Sequence, residues 1–376
     1  HRPAAPCCLI GRSVDCESFH FTGLKIMAAQ DSDSEATPGN LKPNSRGAYR
    51  NSFAENWLVP ALQIAGLGAF LPFLLSYFSP WLMVAELAVN FQVQWFAGMF
   101  FSGLALLLLR RWWSGAILLG AAALAASAII PIFFSASGQP VASSQEPLRI
   151  MSFNVLGSNR SHADVVSEIR RHDPDVLIVV EYTMSWEKAL AEIKSDYPYQ
   201  LEQPRWHGFG IALFSKLPLQ DGGIVASMPL ANDLPVVKAT IHFADKPLEI
   251  FGAHLINPIG EERRKLRTEQ FTALAEELSK APAERVLLGD FNCADWSSEF
   301  RGFVRKTGLR DSRQGFGILP SWSPQGLEIL SIPIDHALVS KGLVVLNRAT
   351  GKKAGSDHCP VIIDLTWKAE SKPESR

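Results

Sequence analysis

Charge is almost missing from one long block of this chain. Between residues 57 and 134 the only charged side chains are Glu86, Arg110 and Arg111. The apolar residues there show no amphipathic face, which argues against helices of a soluble core. No GxxxxGK[ST] loop occurs anywhere, disfavouring nucleotide-driven phosphoryl transfer. The cysteines near the start, Cys7, Cys8 and Cys16, lack the paired spacing of a zinc site. Neither sign of charge is in surplus: 36 Lys and Arg face 37 Asp and Glu. A groove that binds nucleic acid through its phosphates draws on a basic excess, and here there is none. No internal repeat is evident.

What is present divides the chain unevenly. Residues 1–56 are rich in Ser, Pro, Asn and charge without a periodic apolar pattern, and are expected to be disordered. The first methionine is Met27, so residues 1–26 read as an upstream extension. Three uncharged apolar stretches follow at 57–78, 89–109 and 115–134. A bilayer core needs about 20 mostly apolar helical residues, so the block 57–134 is expected to hold three transmembrane helices. Glu86 falls in the loop between the first two. Lys42, Arg46 and Arg50 precede the first stretch, and Arg110 and Arg111 lie between the second and third. The bias of Lys and Arg toward the cytoplasm then puts the tail and the Arg-Arg loop inside. An odd number of spans sends the following domain to the periplasmic or extracellular side of a multi-pass inner-membrane protein. Trp95, Trp112 and Trp113 lie in or beside the spans, and the pair Trp112-Trp113 suits an interfacial anchor.

After a linker at 135–147 the charges return, and 148–368 alternates aliphatic strands with polar helices before a polar tail at 369–376. Strands are expected at 148–155, with the alternation of a half-buried strand, and at 176–180, 210–215, 223–228, 236–243, 248–254, 286–291, 334–339, 343–349 and 359–366. Helices are expected at 161–171, 260–280 and 297–307. Many strands with few helices argue for two packed sheets with helices outside.

Several of these strands end abruptly in hydrogen-bonding side chains, which is how a strand delivers catalytic groups to the rim of a sheet. The run Leu287-Leu288-Gly289-Asp290-Phe291-Asn292 and the later Gly355-Ser356-Asp357-His358 together suggest phosphate ester hydrolysis. The full set is Asn154, Glu181, His254, Asp290 with Asn292, Asp335, and Asp357 with His358. In that order it resembles the endonuclease/exonuclease/phosphatase superfamily, which includes DNase I-like nucleases, sphingomyelinases and inositol polyphosphate phosphatases. The resemblance runs from about 148 to 368 and implies an α/β, four-layer α-β-β-α sandwich of the DNase I-like kind. Three spans followed by this domain are similar to bacterial membrane members linked to glycopeptide resistance, for which a polyprenyl pyrophosphate substrate has been proposed.

The resemblance also implies roles. Glu181 with Asn154 supplies oxygen ligands suited to Mg²⁺, with Mn²⁺ as the alternative, and Asp357 completes the shell. Asn154 equally suits capping the turn after its strand. Asp290 orients or deprotonates the attacking water, and Asn292 donates to the phosphoryl group. His358 acts as an imidazolium oriented by Asp335, and His254 donates to the phosphate or leaving group. Arg264, Arg267 and Gln270 read as packing or salt-bridging groups, and His336 as structural on the opposite face of its strand. His207 is a candidate for the border of the substrate groove. Cys293 and Cys359 each follow a catalytic position, and an oxidising compartment would permit a disulfide between them.

Arg263, Arg264, Lys265 and Arg267 share their helix with Glu261, Glu262 and Glu269, more like a solvated face than a nucleic-acid footprint. Ile332-Pro333-Ile334-Asp335-His336 replaces the WxDRxL signature of the inositol phosphatases and speaks against phosphoinositides. The expected partners are therefore the lipid bilayer and a phosphorylated substrate, lipid-linked rather than nucleic acid. The alternatives are a membrane-anchored nuclease and a non-catalytic membrane binding protein. The completeness of the site argues against the last.

Overall fold

The computed structural model describes residues 54–79, 81–134, 146–226, 234–281 and 284–369. The expected disorder of the N-terminal tail, the cysteines within it and most of the linker and C-terminal tail lie outside these residues.

The charge-poor block folds as helices. A single π-helical turn, Ala54–Leu58, leads into α1, Val59–Ser76. After it come α2, Met83–Val89, and α3, Gln92–Leu108. Helix α4, Trp112–Ile129, runs on as a 3₁₀ turn, Ile130–Phe133. Two segments, Glu55–Ser76 and Trp112–Phe133, are long and apolar enough to cross a membrane on their own, with mean hydropathy 1.9 and 2.3. The remaining expected span, 89–109, is represented by α3, which counts as a span only when taken together with α2, from which it is bent by 71°. A Cβ on Gly115 would sit 2.9 Å from the Gly103 carbonyl, so glycine is what lets α3 and α4 approach this closely.

Glu86 corrects the sequence reading. It lies inside α2, not in a loop, and is buried. The connection folds because its polar groups find partners in the following domain. Glu86 pairs with Arg267 at 2.5 Å, and Asn90 Oδ1 accepts from the Ala294 amide at 2.8 Å. Val89, Ile129, Ile132, Ala294 and Trp296 close the same junction with an apolar cluster.

That domain carries two six-stranded sheets. The first takes the order β11-β12-β1-β2-β4-β3. Its strands are β1 Leu148–Asn154, β2 Val176–Val180, β3 Tyr199–Gln203, β4 Ile211–Ser215, β11 Leu343–Thr350 and β12 Val361–Trp367. The second, β5-β6-β7-β8-β10-β9, is built from β5 Gln220–Ala226, β6 Pro235–Phe243, β7 Lys246–His254, β8 Glu284–Asp290, β9 Arg310–Asp311 and β10 Asp335–Val339. Ile150, Ile178, Val237, Ile250, Leu288 and Ile363 meet between the sheets. On the outer side of the first sheet Phe153 and Val179 pack under α5, His162–His172, and α6, Met184–Ala189. Outside the second, Phe251 and Leu287 pack under α7, Glu261–Ser279, and α8, Ser298–Thr307. The layers run α-β-β-α, as expected. β1 is buried on both faces because it has a sheet on one side and helices on the other, so its alternation marks which layer each residue meets, not solvent.

Candidate active site

Topology gathers the strand ends. β1 and β2 run parallel, as do β7 and β8, so their C-terminal ends lie on one edge. The parallel register sets His254 opposite Asp290, and the antiparallel register of β10 sets Asp335 opposite Asp290. Gly289 is required: its φ is +144°, and a Cβ there would lie 1.8 Å from the Ala253 carbonyl oxygen. Glu181 and Asn292 leave their strands with φ of +59° and +52°, which turns both side chains sharply at the rim.

The polar groups form one network. Asn154 Nδ2 donates to Glu181 Oε1 and Asp290 Oδ2, both at 3.1 Å, and lies 3.3 Å from His358 Nε2. Its Oδ1 accepts from the Leu156 amide at 3.0 Å, so the capping alternative is also realised. Glu181 Oε2 accepts from the Gly157 amide at 2.8 Å. Asp290 Oδ2 stands 3.6 Å from His254 Nε2 and 3.7 Å from His358 Nε2, and Oδ1 accepts from the Asn292 amide. His358 Nδ1 pairs with Asp335 Oδ2 at 2.8 Å. His254 Nδ1 faces the Gly208 carbonyl at 3.1 Å, and Asn292 Nδ2 donates to the Leu255 carbonyl at 2.8 Å.

Burial and the neighbouring Asp335 carboxylate raise Asp290 from 3.8 to about 6, against the pull of His358 and His254. Burial disfavours the His358 imidazolium, yet Asp335 and Asp290 outweigh it and push the ring up to about 10. At neutral pH the site therefore holds a charged imidazole beside a carboxylate poised to take a proton.

Asp290, Asp335 and His358 bring one ligand atom each to within 4.8 Å of one another, a grouping able to hold a metal. A protonated imidazole has no lone pair for a cation, which makes Glu181 and Asp357 the better candidates. Asp357 Oδ2 accepts from Trp322 Nε1 at 2.8 Å, while its buried Oδ1 has no hydrogen-bond partner. An orphaned carboxylate oxygen near Glu181 fits a hard divalent cation with oxygen ligands.

A cavity of about 540 Å³ opens over these groups, lined by Glu181, His254, Asp290, Asn292, Asp357 and His358. Asn154 and Asp335 sit beneath it. Sequence reasoning missed Trp322, which also lines it and bridges to both Ile332 and His358. Trp322 belongs to an irregular stretch with no periodicity to flag it. Also missed were Leu87, Asn90 and Phe91, which form a wall of the cavity from the apolar block. Arg263, read as part of a solvated face, lines the cavity too.

Arg267 and Gln270 hold backbone rather than substrate. Arg267 Nη1 donates to the Asn292 carbonyl, and Gln270 Oε1 accepts from the Ile256 amide, each at 2.8 Å. Arg264 pairs with Glu261. His336 is buried against Phe300 and reaches the Cys293 carbonyl at 2.7 Å. His207 is not among the lining residues; its neighbours Gly208 and Phe209 are. Cys293 and Cys359 are both free thiols, so the disulfide is not formed; Cys293 packs instead with Phe291 and Phe300.

Two facing mixed sheets with this rim of acids, amides and histidines define a DNase I-like phosphohydrolase fold. Residues 151–358, just over half of the chain, match the Endonuclease/Exonuclease/phosphatase family. The chain belongs to that family and is a phosphoester hydrolase. No curated protein matches it significantly. Among solved structures, a humanized D. rerio TDP2 superposes with TM-score 0.50 at 18% identity, over 59% of this chain and 100% of its own. D. rerio TDP2 complexed with single strand DNA product does so with TM-score 0.50 at 16% identity, over 59% and 100%. The 3′ phosphatase NExo from Neisseria, bound to product DNA hairpin, reaches 0.49 at 20% identity, over 58% and 100%. At such identities the likeness bears on the fold alone.

Proposed function

We propose that this chain is a membrane-anchored, Mg²⁺-dependent phosphoesterase that cleaves a lipid-linked phosphate ester or pyrophosphate at the outer face of the inner membrane. One observation carries the reading: Leu87 and Phe91 of the apolar helices line the same cavity as Asp290 and His358. A substrate reaching the catalytic groups passes side chains that belong to the membrane segment. Arg263 is the one lysine or arginine among the lining residues, which suits a small anionic headgroup better than a nucleic-acid backbone.

Glu181 and Asp357, with Asn154 beside them, would hold the divalent cation, which would supply charge neutralisation at the phosphate oxygens. Asp290, as carboxylate, accepts a proton from the attacking water. His358, kept charged by Asp335, donates to a phosphoryl oxygen as negative charge builds there. Asn292 offers its second amide hydrogen to the same group, and His254 Nε2 faces the leaving oxygen. Outward orientation is supported by Arg110 and Arg111. Arg111 stands 3.7 Å from Glu55 in the turn that leads into α1, the end of the helices away from the Glu86 junction.

The test is phosphate release by the full chain in lipid nanodiscs with Mg²⁺, comparing a polyprenyl pyrophosphate, plasmid DNA and a soluble phosphodiester reporter. Asp290→Ala and His358→Ala are each expected to lower kcat by about 10³-fold or more. Undiminished turnover in both variants refutes the site. Plasmid cleavage far above lipid turnover replaces the lipid reading with the nuclease.

A further inference from the structure

A second cavity, of about 270 Å³, lies where α1, α3 and α4 meet α8, and shares no lining residue with the catalytic one. Its apolar side comes from Phe73 of α1 and Leu124 and Ala128 of α4. Its opposite side carries Arg301 and Arg305, four residues apart on one face of α8. Both are exposed, and neither makes an ion pair among the described residues. Arg301 spends only its Nε, on the Asp295 carbonyl at 3.3 Å.

Between the two sides stands Gln92, 6% exposed, whose Nε2 donates to Ser76 Oγ at 2.8 Å. Its Oε1 is buried without a hydrogen-bond partner. A buried amide oxygen of this kind calls for a donor.

We infer that this cavity binds an anionic glycerophospholipid. The chemistry matches part by part. Two guanidinium groups suit a phosphate, which Arg binds in a fork. Gln92 Oε1 suits a headgroup hydroxyl, and the crevice beside Phe73, Leu124 and Ala128 suits an acyl chain. The inference rests on the helices spanning a bilayer, not on the reaction catalysed.

The detergent-solubilised full chain is titrated with phosphatidylglycerol, phosphatidylcholine and free glycerol 3-phosphate and read by native mass spectrometry. One phosphatidylglycerol is expected to be retained, with phosphatidylcholine and glycerol 3-phosphate at least about tenfold weaker. Arg301→Gln with Arg305→Gln is expected to lower phosphatidylglycerol occupancy about tenfold while leaving lipid-free thermal unfolding unchanged. Arg305→Gln alone, at an exposed position, supplies the comparison if the double variant does not fold. Equal retention of the two lipids, or undiminished retention in the variants, overturns the site. Comparable binding of glycerol 3-phosphate overturns the membrane lipid as its source. Alkaline extraction of membranes separates the two readings: a chain that stays in the pellet yet retains no phosphatidylglycerol sinks the lipid site alone.

Discussion

Asp335 does not line the cavity, yet it shifts both of the groups proposed to react there. It raises His358, proposed to act in its acid form, and it raises Asp290, proposed to act in its base form. Activity should therefore climb as pH rises through about 6, where Asp290 loses its proton, and fall as pH passes about 10, where His358 loses its own. In Asp335→Asn both limbs of the profile should move to lower pH, with kcat down about 10- to 100-fold. A pH–rate series on a soluble reporter checks this, and an unmoved profile would leave Asp335 a merely structural role. Asp290 and Asn292 were legible in the sequence because Leu287-Leu288-Gly289 ends abruptly in them, whereas Asp335, at the start of β10, and His358, just before β12, stood out through the family resemblance. Trp322 was not, since nothing in an irregular segment announces that an indole will hold Asp357. The amide of Asn154 was only half legible, for it caps its turn and joins the network at once.

At the level of elements, α2 is the piece the sequence concealed. Seven residues between two apolar runs read as a connection, and only the fold reveals that Glu86 reaches across the junction to Arg267, which also pairs with Glu299. Glu86→Ala leaves a fully buried guanidinium with one carboxylate instead of two, and should cost about 2–3 kcal/mol. Thermal unfolding of the solubilised chain measures it, with Glu86→Gln expected to lose less. A second buried cluster ties β9 to its neighbours: Asp311 pairs with Arg313 at 3.1 Å and lies 3.9 Å from both His336 and Arg348. Burial opposes the Asp311 charge, but these cations hold its carboxyl far below the usual 3.8. A depressed carboxylate stabilises the fold fully above its unfolded value and loses that contribution as pH falls through lower values. Acid unfolding of Asp311→Asn should accordingly show a shallower dependence below about pH 4 than the parent. β9 escaped notice in the sequence because two residues carry no periodicity. The long strands of the inner layers were read close to their true bounds because β-branched runs such as 176–180 have no competing pattern.

For the whole molecule, the apolar helices are part of the architecture around the site, not a separate appendage. Removing residues 54–134 strips the Val89, Ile129 and Ile132 side of the cluster that covers Ala294 and Trp296, and leaves Arg267 without Glu86. The fragment 146–369 should need detergent to stay monodisperse, and should lose far more activity on a lipid pyrophosphate than on a soluble reporter. Size-exclusion chromatography and the paired assays check both. Chelation by EDTA should abolish turnover of either substrate and Mg²⁺ should restore it. The elbow between α2 and α3 has a kinetic consequence under the proposed membrane reading as well. Within residues 87–92, Leu87 and Phe91 line the first cavity, while Val89 and Gln92 line the second. A reaction centre fixed at one height on a bilayer meets its substrate by lateral diffusion in two dimensions. Its rate then follows the mole fraction of substrate among the surrounding lipids, so adding inert lipid at constant bulk substrate should slow it by surface dilution.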